Sequence, residues 1–218
     1  MSDPLDNLNL WNAVSKTDPS ATKHVGQRGG FTAIDAYSQI KAATEQFGPV
    51  GQGWGWEVKE VWFPTNGTVV VQIFLWHQEK FPNSEAGRAV GFDVFGQKKL
   101  DTSKGPDEDA FKKALTDAIT KGLSYLGFNA DVFMGKFDDN KYVELRKAEV
   151  SAESEGLDPV QIFLMLESNI TKADSAERLK EVEKTVTRYR GLLYAHDADL
   201  FRKLGEQYES KKKEFATK

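Results

Sequence analysis

Apolar and polar positions change period along this chain, and each change marks an element. Between Pro106 and Asn129, Phe111, Ala114, Leu115, Ala118, Ile119, Gly122, Leu123 and Leu126 recur at the three- and four-residue spacing that lines one face of an α-helix. Pro106 and Asp107 suit the start of that helix, and Asp107, Glu108 and Asp109 put negative charge at the positive end of its dipole. Gly127 supplies the stop. Opposite the stripe, Lys113, Asp117 and Lys121 follow one another at i, i+4 spacing, flanked by Lys112, Thr120 and Ser124. Taken alone, such a charged face is usually a solvated surface, although it also suits a phosphate.

Upstream the period falls to two. Over 54–63, alternation predicts a strand with Trp54, Trp56, Val58 and Trp62 on one face and Glu57, Lys59, Val61 and Phe63 on the other. Asn66-Gly67 marks a tight hairpin, and the Val-, Ile-, Phe- and Trp-rich run 68–77 reads as a mid-sheet strand buried on both faces. A loop with Pro82, Asn83 and Gly87 leads to a third strand over 88–97, where Val90, Phe92 and Val94 alternate with Asp93. Ahead of the strands, Thr32 or Asp35 caps a helix that runs to Phe47 and stops at Gly48-Pro49. The expected fold class is α+β: a three-stranded antiparallel β-meander packed on a long helix, a β-β-β-α core.

The ends differ from this middle. Residues 1–22 form a polar arm with a short helix bearing Leu8, Leu10, Trp11 and Val14, free to dock on its own fold or on a neighbouring subunit. Near residue 151 the small, acidic stretch SAESEGLD reads as a linker, which divides the chain into a core, 1–150, and a helical module, 151–218. Asp158-Pro159, Ser175 and Asp197 open three amphipathic helices in that module, which ends in the basic run Lys211, Lys212, Lys213.

Composition narrows the function. With 218 residues, 39% hydrophobic and 28% charged, the chain is expected to fold as a globular protein of one or two domains. No apolar run approaches the ~20 residues that span a bilayer, and the N-terminus lacks a secretory pattern, so a cytoplasmic protein without membrane contact is expected. The absence of cysteine excludes disulfides, thiolate nucleophiles and cysteine metal sites. His24, His77 and His196 fall in no ligand spacing, and Asp138, Asp139 and Asn140 do not begin an EF-hand loop. No Walker-type phosphate loop or catalytic triad pattern occurs, so neither ATP nor another cofactor is expected. The formal net charge of −4 means that any nucleic-acid contact must rest on a local patch.

Two kinds of chemistry compete. Glu57-Val58-Lys59 on a strand, with Asp35 upstream, resembles the acidic-x-Lys arrangement of metal-dependent nucleases, yet the same residues are the polar half of an amphipathic strand. The binding alternative interleaves cations with aromatics, as single-stranded DNA requires: Lys23 and Arg28 in KHVGQRGGF, then Lys112, Lys121 and Tyr125. A third reading makes the chain an oligomeric adaptor that acts through its helical tail.

Two strings carry a family resemblance. AYSQIKAATEQFGPVGQGWGWEV resembles the helix and tryptophan-bearing strand of the Rad-fifty-two-like single-strand annealing superfamily, which includes phage proteins. EDAFKKALTDAITKGLSYLGFNADVF is similar to that superfamily's long helix, through Ala114, Thr116, Asp117, Lys121, Leu123 and Gly127. The resemblance implies a non-enzymatic protein that anneals complementary single strands in recombination and repair without ATP. It also implies a homo-oligomer, ring or helical filament, with DNA in a basic groove. By position it gives Lys121 a backbone contact and Lys23 a second, while Thr120 and Ser124 stand where eukaryotic relatives carry further cations. The helices of 151–218 resemble phage recombination tails, which implies a partner exonuclease or a host single-strand binding protein.

Overall fold

The computed structural model describes residues 8–26, 30–79, 88–103 and 105–216, and their contacts divide the chain into two units, Met1–Gly135 and Lys136–Lys218. The first unit carries the meander. Strands β3 (Trp54–Trp62), β4 (Thr68–Glu79) and β5 (Arg88–Lys99) pair antiparallel in the order β3-β4-β5. A separate ladder joins β1 (Thr22–Val25) to β2 (Phe31–Ile34), and helix α2 (Ala36–Phe47) follows. Asp35 caps α2 by accepting the Ser38 N–H at 2.8 Å. The expected loop with Pro82, Asn83 and Gly87 lies outside the described residues.

Helix α3 (Ala110–Tyr125) lies across β4 and β5, and the fold is α+β as its periods predict. Val69, Val71, Ile73 and Leu75 of β4 are fully buried against Ala114, Ala118 and Leu123, with Trp54 and Val94 closing the core. Alanine and glycine dominate the contact because the layers nearly touch: a Cβ on Gly96 of β5 would stand 2.2 Å from the Ala114 carbonyl oxygen. Phe111, assigned above to the apolar stripe, is 40% exposed, and Ala110 takes the buried position. The other face of β4 is only half-buried, so the strand is not enclosed on both sides as expected.

One bulge changes the predicted faces of β3. The register shifts between Val58, opposite Ile73, and Glu60, opposite Gln72, so Lys59 is an extra residue. Beyond it Val61 faces the side of Trp54 and Trp56, and Trp62 turns to the side of Glu57, the reverse of simple alternation. There Trp62 stacks on Phe95 at a centroid distance of 5.9 Å.

The described part of the arm, from Leu8 on, docks on its own unit. Helix α1 (Asn9–Val14) brings Trp11 over Gly127, whose φ of +101° ends α3 and whose missing Cβ admits the indole. The short helix α4 (Ala130–Phe133) follows from Asn129, and the Val14 and Ser15 carbonyls accept the Asn129 and Asp131 N–H groups at 3.1 and 3.2 Å.

In the second unit, α5 (Asn140–Glu155), α6 (Pro159–Lys172), α7 (Ala176–His196) and α8 (Ala198–Ala216) share a core of Ala148, Ala152, Ile162, Phe163, Leu166, Ile170, Tyr189 and Leu193. The Asp158 and Ser175 caps form as their sequence suggests, the first as a full capping box with Gln161. The stretch read as a linker lies within the second unit: Ser151–Glu155 completes α5, with Ala152 buried, and Gly156 at φ +66° begins the turn to α6. The division therefore falls before α5, at Gly135/Lys136, and not near residue 151. Among the described residues, no helix is long and apolar enough to cross a membrane.

Candidate nucleic-acid interface

The last turns of α3, the end of β5 and the end of α4 line an open concavity of about 550 Å³. Its lining is Gln97, Asp117, Thr120, Lys121, Ser124, Tyr125 and Phe133. Lys121 and Tyr125 are exposed, one helical turn apart, and among the described residues Lys121 forms no ion pair. Tyr125 meets Phe92 of β5 in a tilted pair at a centroid distance of 6.4 Å. Asp117 accepts the Gln97 backbone N–H at 2.9 Å, so this carboxylate ties the helix to the edge strand β5 as well as facing water. The Thr120 and Ser124 hydroxyls donate back to α3 carbonyls, at 3.0 Å to Thr116 and 2.7 Å to Lys121.

Lys112 and Lys23 do not join this cavity. Lys112 and Lys121 are separated by about 180° around the helix at 100° per residue, so they do not share a face. The Lys112 ammonium is also engaged, 2.6 Å from Asp109. That hydrogen bond, and then the Asp109 charge, raise the Lys112 pKa above the ordinary lysine value. Lys113 lies 3.5 Å from Asp107, whose carboxyl the Asp101 N–H holds below the usual range. Lys23 is exposed on β1, opposite Ala33 of β2. Arg28 lies outside the described residues.

Phe133 is the residue that sequence reading passed over. It is 58% exposed, as is Tyr125, and α4 carries it to the lining of the concavity. A four-residue helix beyond a glycine stop has no period long enough to assign a face. The only available signal was an aromatic side chain beside the long helix.

The nuclease residues are otherwise occupied. Glu57 and Lys59 are ion-paired to each other at 2.7 Å, with the Lys59 ammonium 5.5 Å from the centre of the Phe74 ring, and Asp35 caps α2. Among the described residues, no group of three or more His, Asp or Glu is arranged to hold a metal ion.

The second unit has its own concavity, about 620 Å³, between α7 and α8. Val186, Phe201, Leu204 and Tyr208 line it together with the charged Glu183, Arg190, Arg202, Glu206 and Glu209.

Neither protein-family models nor curated proteins give a match to this sequence.

Proposed function

We propose that this protein binds single-stranded DNA and anneals complementary strands without a nucleotide cofactor, as a homo-oligomer. The observation that carries the reading is the pairing of Lys121, an exposed cation with no ion pair among the described residues, with the exposed ring of Tyr125 on one cavity. A strand needs both a partner for its phosphates and a face for its bases, and a modest set of contacts repeated along an oligomer supplies affinity by multivalency. Such repetition reconciles DNA binding with a chain of net charge −4. In this reading Lys23, and Arg28 in the glycine-rich turn, extend the phosphate track, while the second unit meets a recombination partner such as an exonuclease or a single-strand binding protein.

The test is the annealing of two complementary fluorescent oligonucleotides, without nucleotide, in Mg²⁺ or in EDTA. Faster pairing with intact strands is expected in both. Strands shortened only in Mg²⁺ would favour the nuclease.

The adaptor reading draws on the apolar concavity between α7 and α8. A chain ending at Gly135 separates the two: annealing that survives the truncation places the activity in the first unit, and its loss with a folded core favours the tail. A cut after Val150 is the poorer experiment, because it removes Ala152 and strips the partners of buried Ala148.

A further inference from the structure

The cavity at the end of α3 has too little net charge to hold a phosphate strongly. Lys121 contributes one positive charge and Asp117, one turn earlier, one negative charge. The C-terminal end of a helix also carries partial negative charge, which opposes an anion there. Its aromatic surface is generous by contrast. Tyr125 and Phe133 are more than half exposed, and burying such rings is worth more than one screened surface charge. Tyr125 is in contact with Phe92, at a centroid distance of 6.4 Å, and still lines the concavity with 58% of its surface exposed. Asp117 uses Oδ2 for the Gln97 N–H, and among the described residues Oδ1 accepts nothing.

We propose that this cavity is a nucleobase pocket: one base per subunit packs against Tyr125 and Phe133, and Asp117 Oδ1 accepts a hydrogen bond from its exocyclic amine. This rests on the single-strand binding reading and adds to it a division of labour. Lys121 meets the backbone at the rim and the rings meet the base inside. The concavity, about 550 Å³, is open to solvent and large enough to seat one base. Stacking tolerates any base, but a carboxylate acceptor favours amino-bearing dC over dT. A paired base enters only after unstacking from its duplex, so the pocket also favours single strands over the annealed product.

The experiment measures binding of full-length protein to three oligonucleotides: an intact dC strand, a dT strand of equal length, and a dC strand with abasic positions. Phe133→Ala and Phe133→Trp are compared with wild type. Because Phe133 is mostly exposed, both variants should keep the wild-type melting temperature. Phe133→Ala should bind the intact strand about 5- to 150-fold more weakly per engaged site, the loss of one stacked base. Phe133→Trp should restore binding, and the abasic strand should bind wild type and Phe133→Ala alike. A strand carrying 2-aminopurine should be quenched on binding to wild type and less so by Phe133→Ala. Equal affinity of wild type and Phe133→Ala for the intact strand, or an equal loss on the abasic strand, overturns the pocket. Binding of dT as tight as dC removes the Asp117 contact. If wild type binds none of the three strands, the functional reading itself falls.

Discussion

Thr17 and Asp131, far apart in sequence and both buried, hold each other at two points. The Thr17 N–H donates to Asp131 Oδ2 at 2.9 Å, and the Thr17 hydroxyl donates to Oδ1. The same hydroxyl accepts from Asn129 Nδ2 at 3.0 Å. Together with Trp11 over Gly127, these bonds fasten the N-terminal arm to the turn that launches α4, and so to the helix that carries Phe133.

Thr17→Val preserves shape and deletes the hydroxyl. It leaves Asn129 Nδ2 without this acceptor and removes a charge-assisted bond from a buried carboxylate. A loss of about 1.5–3 kcal/mol is expected, read as a lower urea midpoint with an unchanged slope. A midpoint equal to wild type would mean that the arm is not fastened here.

Two glycines on the α3–sheet contact should respond differently to alanine. At Gly96 the new Cβ meets backbone, 2.2 Å from the Ala114 carbonyl oxygen and 2.3 Å from the Ala118 nitrogen, and only movement of the helix relieves it. About 3 kcal/mol or more of destabilisation is expected. At Gly122 it meets Leu75 Cδ1 at 2.9 Å and Val94 Cγ2 at 3.1 Å, side chains that can turn, and alanine favours a helix over glycine by about 1 kcal/mol. Gly122→Ala should therefore lie within about 1 kcal/mol of wild type, and chemical denaturation of the pair decides it.

If single strands bind as proposed, the lysines should not be equivalent. Lys121→Ala and Lys23→Ala should weaken binding at low salt and, for each lost phosphate contact, flatten the log K against log salt plot by roughly 0.7. Lys112→Ala should do less, because its ammonium is already matched by Asp109 at 2.6 Å. Titrations of the three variants across ionic strength test the order, and an equal effect of Lys112→Ala would contradict the site.

The helical unit should weaken in alkali. Burial, and then the hydrogen bond to Glu183 at 2.9 Å, push the Tyr208 hydroxyl from an ordinary 10.0 up to about 12. Because the folded value exceeds the unfolded one, this contribution is complete below pH 10 and is lost as the pH rises toward 12. Tyr189, bonded to Glu155 at 2.7 Å and also raised by burial, acts in the same sense. Tyr208→Phe should make the fall in stability shallower between about pH 9 and about pH 12, leaving the Tyr189 part in place. Urea midpoints across that range measure the difference.

The local rules were strong enough to give the element types, their order and the fold class. A three- to four-residue period makes α3, a two-residue period makes the strands, and Asp35, Asp158 and Ser175 cap the helices they precede. The pairing of Lys121 with Tyr125 was legible for the same reason, since i, i+4 neighbours meet on any helix. That Lys112 points elsewhere also follows from helical geometry, although its ion pair with Asp109 does not. Tertiary structure decided the rest. A bulge at Lys59 turned Trp62 to the opposite face, the packing of Ala148 and Ala152 moved the division of the chain from residue 151 to Gly135/Lys136, and Phe133 joined a cavity whose other walls belong to α3 and β5. Each of these depends on residues brought together by folding, as Thr17 and Asp131 are. A periodic pattern reports which side of an element is apolar, whereas a register shift, a unit boundary or a cavity is set by what that side meets.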